Sequence, residues 1–177
     1  DKKFPTTKEA MLAPTPLKVT KSNGELIDEV KFILDLIAEN DIVLSSGHLN
    51  ISEIWPLFNE AKKRGVNRLL CNHPTYVIGA SLDDITRLVG MGAYIEHSMC
   101  MFVQRSKYKF YEPDELDKMI KAAGVDKTIL GSDLGQVGNP SPVDGFRGVI
   151  NICLELGYEE NEIRKLISEN ASKLIGI

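Results

Sequence analysis

The chain of 177 residues has the length of one domain, or of one large part of a bigger domain. Apolar residues make up 43% and charged residues 26% of it, which excludes disorder, collagen and coiled coil as its main description. The net charge of -4 gives no general attraction to nucleic acid or acidic lipid, so we expect neither as a partner.

The cysteine content and the apolar pattern favour a cytoplasmic protein. Three cysteines are too few for a disulfide framework, which indicates a reducing compartment. No apolar stretch approaches the roughly 18 residues that span a bilayer, and no signal peptide is visible. The first residue is Asp1 rather than methionine, so we expect that a preceding part of the protein has been removed or is missing from this chain.

In chain order, residues 1–16 predict an irregular linker, because three prolines and little periodicity occur there. From residue 17 onward, strand and helix patterns alternate. Strands are predicted at 17–20, 41–45, 68–71, 93–96 and 127–130, and helices at 26–38, 50–63, 81–90, 113–124, 141–155 and 159–169. The second helix has two candidate caps, Asn50 and Ser52, and the Ser52 cap would place Pro56 near the first turn.

The predicted strands are short apolar runs, which is typical of parallel strands covered on both faces. The fold class is therefore α/β, with right-handed crossovers. Two architectures remain open at this point, an open doubly wound sheet and a (β/α)8 barrel of TIM type. A full barrel needs roughly 250 residues, so residues 17–177 match about five βα units of one.

Four predicted strands in succession are followed by a side chain suited to chemistry. The three histidines of the chain, His48, His73 and His97, each follow a strand, and Asp133 follows the next one. Parallel strand ends meet at one edge of a sheet, where active sites of both architectures lie. Two imidazoles and a carboxylate form a good set of ligands for zinc or manganese, whose bound water becomes a usable nucleophile.

The residues around the third histidine leave its role open. Adjacent strand residues face opposite sides, so either His97 or Glu96 is the one that points to the site. We expect His97, Asn72 and Glu96 to contact a substrate rather than the metal. The loop 99–111 is rich in basic and aromatic residues, and it either recognises an anionic substrate, packs on a partner or is simply solvated.

Several segments together resemble the C-terminal half of an amidohydrolase-superfamily enzyme, in particular an uncharacterised group of amidohydrolase-like metal-dependent hydrolases. They are D-I-V-L-S-S-G-H-L-N-I-S-E, L-L-C-N-H-P, A-Y-I-E, I-L-G-S-D-L-G-Q and E-N-A-S-K-L-I-G-I, in this order along residues 17–177. The resemblance implies a distorted (β/α)8 barrel. It also implies that His48 and His73 are metal ligands, and that Asp133 contacts the metal and is the general base on the attacking water.

The sequence departs from the family pattern in one respect, since it contains no His-x-His pair, which in the family follows the first strand. If Leu17–Thr20 is the fourth strand of the barrel, strands one to three precede Asp1. A half-barrel exposes sheet edges and apolar surface, so we expect it to form a homo-oligomer or to associate with an N-terminal half.

The sequence thus predicts a metal-dependent hydrolase that uses zinc or manganese and attacks a carbonyl or phosphoryl centre of a small molecule. Asp133 would be its catalytic base. Two alternatives stay open: a non-catalytic half-barrel subunit that needs a partner, and a metal-independent barrel lyase or isomerase.

Overall fold

A computed structural model of the chain describes residues 17–177, so the predicted linker 1–16 lies outside the described residues. Four strands are present there: β1 (Leu44–Ser45), β2 (Leu69–Asn72), β3 (Tyr94–Ser98) and β4 (Thr128–Gly131). The helices are α1 (Asp28–Glu39), α2 (Ile51–Lys63), α3 (Leu82–Gly90), α4 (Pro113–Ala123), α5 (Pro142–Glu155), α6 (Glu160–Arg164) and α7 (Asn170–Ile175). Short 3-10 turns occupy Met99–Met101 and Val125–Lys127, and a π-helical turn occupies Lys165–Glu169.

The four strands form one parallel sheet in the order β1-β2-β3-β4, which confirms the predicted α/β class. Neighbours in the sheet are also neighbours in the chain, and a helix lies between each pair of strands. The order contains no reversal of the kind that marks the switch point of a doubly wound sheet. Because right-handed crossovers all turn the same way, sequential order places the connecting helices on one face of the sheet.

The strand predicted at Leu17–Thr20 is wrong. Thr20 forms an isolated antiparallel bridge with Leu26 and joins no parallel strand. The cause is the turn between them, where Gly24 adopts a φ of +83° and the amide of Lys21 donates to the carbonyl of Glu25. The described residues therefore hold four parallel strands rather than five.

The start of α2 settles between the two candidate caps in favour of Asn50. Its side-chain oxygen accepts from the Ser52 amide at 3.0 Å, and the Glu53 carboxylate accepts from the Asn50 amide at 3.3 Å. These two bonds satisfy amides that the first helical turn leaves free. Pro56 consequently lies inside the helix, where it supplies no N–H to the carbonyl one turn before it.

The two faces of the sheet differ in burial. Leu69, Cys71, Ile95 and Leu130 point to the helices and are at most 2% exposed, within two apolar clusters. The opposite face is half-exposed along β2 and β3 at their alternate positions Leu70, Asn72, Tyr94 and Glu96. The expectation that both faces are covered therefore fits only the helical side.

None of the helices in residues 17–177 combines the length and apolar character needed to cross a bilayer.

Candidate functional site

One pocket of about 310 Å³ opens at the carboxyl ends of the strands. It brings together His48 after β1, His73 after β2 and Asp133 after β4. The remaining lining residues are Tyr76, Val77, Cys100, Met101, Lys107, Tyr108, Lys109 and Phe110. The three predicted metal ligands thus share a cavity, since parallel strands present their ends at the same edge.

The two imidazoles are in contact. The ring centroids of His48 and His73 are 4.9 Å apart, and the rings meet edge to face at 63°. Gly47, with a φ of +54°, turns the chain sharply after β1, and Asn50 then begins α2. His48 is therefore held between a glycine turn and a helix cap, with its side chain exposed toward the pocket.

The backbones of His73 and Asp133 are both strained. Their φ values are +47° and +46°, in the left-handed region that few residues other than glycine adopt. Residues with a β-carbon lose roughly 1–2 kcal/mol there. The amide of His73 donates to the carbonyl of Glu96 at 3.1 Å, which fixes the peptide in this conformation. Strain of this kind clusters at functional sites, because the surrounding structure has to enforce it.

His73 is half-buried and oriented by a hydroxyl. The Ser98 Oγ lies 2.6 Å from Nδ1 of the ring, which leaves Nε2 available to a ligand in the pocket. Burial lowers the pKa of His73 below its usual value, while the negative charges of Asp133 and Glu96 act against that shift and His48 acts with it. The neutral imidazole that burial favours is the form that binds a metal ion.

A thiol lies beside the carboxylate of the site. Cys100 Sγ donates to Asp133 Oδ2 at 3.5 Å, and the Cys100 amide donates to the carbonyl of Ser132 at 3.1 Å. Burial raises the pKa of the Cys100 thiol to about 12, and the Asp133 carboxylate acts in the same direction. Without a bound cation, the thiol therefore stays protonated at neutral pH.

Asn72 and Glu96 form a polar row on the half-exposed face of the sheet rather than part of the pocket wall. The Asn72 amide donates to Glu96 Oε2, and the Ser45 hydroxyl donates to the Asn72 oxygen. The Glu96 carboxylate extends over Gly131, where Cδ would lie 3.1 Å from an added β-carbon. The row thus crosses from β1 to β4 directly below the strand ends.

His97 is not brought to the pocket. It pairs with Leu130 in the sheet register, points to the helical side and is 3% exposed. Its Nε2 has no hydrogen-bond partner, and burial lowers the pKa of the ring to about 4. Of the two orientations considered, Glu96 faces the open side of the sheet and His97 faces the core.

Aromatic rings form one wall of the pocket, and this wall was not predicted from the sequence. Tyr76 and Phe110 pack with centroids 4.5 Å apart and are 55% and 60% exposed. Phe110 also meets Tyr111 at 5.0 Å, and the Tyr111 hydroxyl donates to Thr75 Oγ1. The basic and aromatic composition of loop 99–111 was the sequence feature that could have indicated this wall. The same composition is equally typical of a solvated loop.

Lys107 joins this wall to the loop that follows Asp133. Its Nζ donates to the carbonyl of Val137, and its amide donates to Asn139 Oδ1, both at 2.9 Å. The loops after β3 and β4 are therefore tied together at the rim of the pocket.

The donor set of the pocket suits a divalent cation in chemical type. Among residues 17–177, however, no three His, Cys, Asp or Glu side chains stand close enough together to hold a metal ion as they are oriented. His48 and Asp133 are exposed, so rotation of their side chains costs little packing. The donor set therefore fits a cation by its chemistry, while the present side-chain orientations do not bring three donors together.

A family model described as a family of unknown function, DUF6282, matches residues 2–96, which is more than half of the chain. The chain belongs to DUF6282. The DUF6282 match includes His48, His73 and Glu96 and ends before Cys100 and Asp133. No curated protein matches the chain.

Proposed function

We propose that this DUF6282 protein is a metal-dependent hydrolase of amidohydrolase type. The observation that carries the proposal is the shared pocket of His48, His73 and Asp133 at three strand ends. Two of the four non-glycine residues with a left-handed backbone in the described chain, His73 and Asp133, lie in this pocket, where strain can serve to aim a side chain; the other two, Asp41 and Arg105, lie outside it.

We also propose that the sheet is part of a (β/α)8 barrel, with four βα units in the described residues. Sequential strand order supports this reading, since a barrel is wound in one direction. The half-exposed polar face, with Asn72 and Glu96, would then be the barrel interior. In barrels of this kind the active site lies at the carboxyl ends of the strands, which is where the pocket is found.

In the proposed site, His48, His73 and Asp133 would hold a zinc or manganese ion. The cation would supply Lewis acidity, which polarises a carbonyl or phosphoryl oxygen and lowers the pKa of water. Ser98 holds Nδ1 of His73 and thereby leaves Nε2 as the nitrogen that can bind the ion. Asp133 accepts the proton of the attacking water, a role that its exposed carboxylate at the pocket wall permits.

The substrate side of the proposed site is apolar at its wall and charged at its rim. The exposed rings of Tyr76 and Phe110 offer a surface for a planar or apolar group of a small molecule. Lys107 and Lys109 bring positive charge to the same pocket. Asn72 and Glu96 lie below the pocket, where they would contact a substrate that reaches into the barrel interior.

Metal binding and hydrolysis test the proposal together. Protein freed of metal by a chelator is dialysed against Zn²⁺ or Mn²⁺, and bound metal is measured by mass spectrometry. We expect about one ion per chain in the wild type and a loss of binding in His48→Ala and His73→Ala. Chromogenic carboxylic ester, amide and phosphate ester substrates are assayed with and without metal.

Asp133→Asn and Asp114→Asn form a matched pair of carboxylate variants. Asp114 is exposed in the first turn of α4 and lies outside the pocket. We expect Asp133→Asn to lower metal-dependent hydrolysis by about 10²–10⁴-fold and Asp114→Asn to leave it unchanged. If the protein binds neither Zn²⁺ nor Mn²⁺, and hydrolyses none of these substrates when metal is supplied, the proposal is contradicted and a non-catalytic half-barrel subunit is favoured.

A specific observation also supports a partner for the sheet. Within the described residues β1 is an edge strand, and Phe32, Ile33 and Leu36 of α1, the helix before it in the chain, are 63%, 50% and 42% exposed. Open edges and apolar patches are usually covered by another chain. We propose that a second copy or an N-terminal half of the barrel covers them. The three free buried cysteines support a reducing, cytoplasmic location.

A further inference from the structure

The pocket contains one metal-binding side chain that the proposed site does not yet use. Cys100 follows β3, the one strand whose end contributes neither a histidine nor an aspartate to the pocket. Its Sγ lies 3.5 Å from Asp133 Oδ2, and Cys100 and His73 line the same pocket. The other two cysteines, Cys71 and Cys153, belong to the apolar clusters under the helices.

The position of Cys100 is fixed by its own backbone. Its amide donates to the carbonyl of Ser132, the residue directly before Asp133, at 3.1 Å. Two residues earlier, Ser98 holds Nδ1 of His73. The end of β3 therefore touches both candidate ligands on either side of it, through Ser98 toward β2 and through Cys100 toward β4.

We infer that Cys100 is the fourth protein ligand of the proposed centre, which makes the site one for zinc rather than manganese. This inference rests on the proposed function. Imidazole, carboxylate and thiolate are all ligands that zinc accepts, and the attacking water would take a further position on the ion. A thiolate selects against Mn²⁺ and Mg²⁺. The sequence has no His-x-His pair, and Cys100 supplies a ligand to the centre from within the described residues.

Ligation exchanges a proton for the metal. The S–H bond of Cys100 breaks, the sulfur keeps both electrons and donates a pair to Zn²⁺, and the proton passes to the buffer. The hydrogen bond to Asp133 Oδ2 is lost in the same step, which frees that oxygen to turn toward the cation. No oxidant or reductant takes part.

Cobalt substitution tests the inference without using activity. Metal-free protein is titrated with Co²⁺, and the near-ultraviolet absorption is followed, because a thiolate ligand gives an intense charge-transfer band there. We expect the band to saturate at about one cobalt per chain in the wild type. It should vanish in Cys100→Ser, whose hydroxyl keeps the size of the side chain, and persist in Cys153→Ala.

Zinc affinity supplies a second measurement. We expect Cys100→Ser to bind Zn²⁺ about tenfold or more weakly than the wild type, while its Mn²⁺ affinity changes less. If Cys100→Ser does not fold, X-ray absorption of the zinc-loaded wild type decides, because a sulfur ligand gives a scattering shell at about 2.3 Å, whereas nitrogen and oxygen ligands lie at about 2.0–2.2 Å. Absence of the sulfur shell would overturn the inference.

The outcomes separate the two proposals. Stoichiometric Co²⁺ binding without a charge-transfer band would overturn the role of Cys100 and leave the histidine and aspartate site standing. Absence of any Co²⁺ or Zn²⁺ binding would overturn the metal centre itself, and the role of Cys100 with it. A band that survives in Cys100→Ser would likewise overturn the inference, since the thiolate would then be another cysteine.

Discussion

The left-handed conformation of Asp133 gives a direct measure of strain at the candidate site. Its φ is +46°, where a β-carbon is unfavourable and glycine is not. We expect Asp133→Gly to have a free energy of unfolding about 1 kcal/mol greater than Asp133→Ala. Urea denaturation of the two variants measures this difference in the free energy of unfolding. The carboxylate does not contribute to the difference, because both variants lack it.

Lys118 provides the opposite case, since it is exposed in the middle of α4. There the alanine variant should exceed the glycine variant by about 1 kcal/mol, as helix propensity requires. If alanine were also the more stable residue at position 133, the strain at Asp133 would be refuted.

The buried ring of His97 makes stability depend on pH. Burial lowers its pKa from 6.5 to about 4, so the unfolded chain binds a proton that the folded chain refuses between these values. The free energy of unfolding should therefore fall as pH drops from about 6.5 to about 4, by about 3 kcal/mol from this residue.

His97→Met isolates that contribution, because methionine fills a similar volume and does not titrate. The stability difference between wild type and variant should change across this pH range and stay constant above pH 7. It would count against the buried, neutral ring if the difference were the same at pH 4.5 and pH 7.5.

At the scale of single residues, part of the candidate site could be predicted from the sequence. His48, His73 and Asp133 could be found because each follows an apolar run that reads as a strand. Ser98 and Cys100 could not, because β3 continues two residues beyond the predicted end at Glu96. That extension turns His97 toward the core and places Ser98 and Cys100 at the strand end, a difference that short apolar runs do not reveal.

At the level of elements, the cap of α2 connects helix stability to the site. Asn50 accepts from the Ser52 amide and lies two residues after His48. Asn50→Ala should lower the free energy of unfolding by about 1 kcal/mol. It should also weaken Zn²⁺ binding, because the frayed first turn no longer holds His48 in place.

Ser81→Ala serves as the comparison, since Ser81 caps α3 in the same way through Asp84. We expect a similar loss of stability with unchanged Zn²⁺ affinity, measured by thermal denaturation and competition with a chromogenic chelator. Equal loss of affinity in both variants would show that the effect on binding is global.

Helices were more predictable than the N-terminal strand. Ser81 and Asp84 form a capping box at the start of α3, and Gly124 ends α4. These are local signals, and they place both helix ends close to the predicted bounds 81 and 124. The composition of residues 17–20 is compatible with a parallel strand. In the structure, the turn at Gly24 instead pairs Thr20 with Leu26 in an antiparallel bridge. Long-range pairing of so short a run is not encoded in its composition.

Within residues 17–177, the sheet ends at β1, and α1, the helix that precedes β1 in the chain, exposes three large apolar side chains. If the exposed side chains of α1 meet a second copy of the chain, Phe32→Glu with Leu36→Glu should shift the protein to monomer. Light scattering coupled to size-exclusion chromatography measures the mass. Val143→Glu is the control, because Val143 is 58% exposed on α5 and away from β1.

A wild-type monomer at high micromolar concentration would argue against self-association through this face.

The carboxylate of Glu96 lies where a side chain at position 131 would have to be. A β-carbon at position 131 would therefore require the Glu96 carboxylate to move aside, whereas the backbone of Gly131 itself has no positive φ. Among relatives that align over both positions, residues 96 and 131 should covary: chains with alanine or serine at position 131 are expected to carry a residue smaller than glutamate at position 96. An alignment in which glutamate at position 96 occurs together with alanine at position 131 would contradict this coupling.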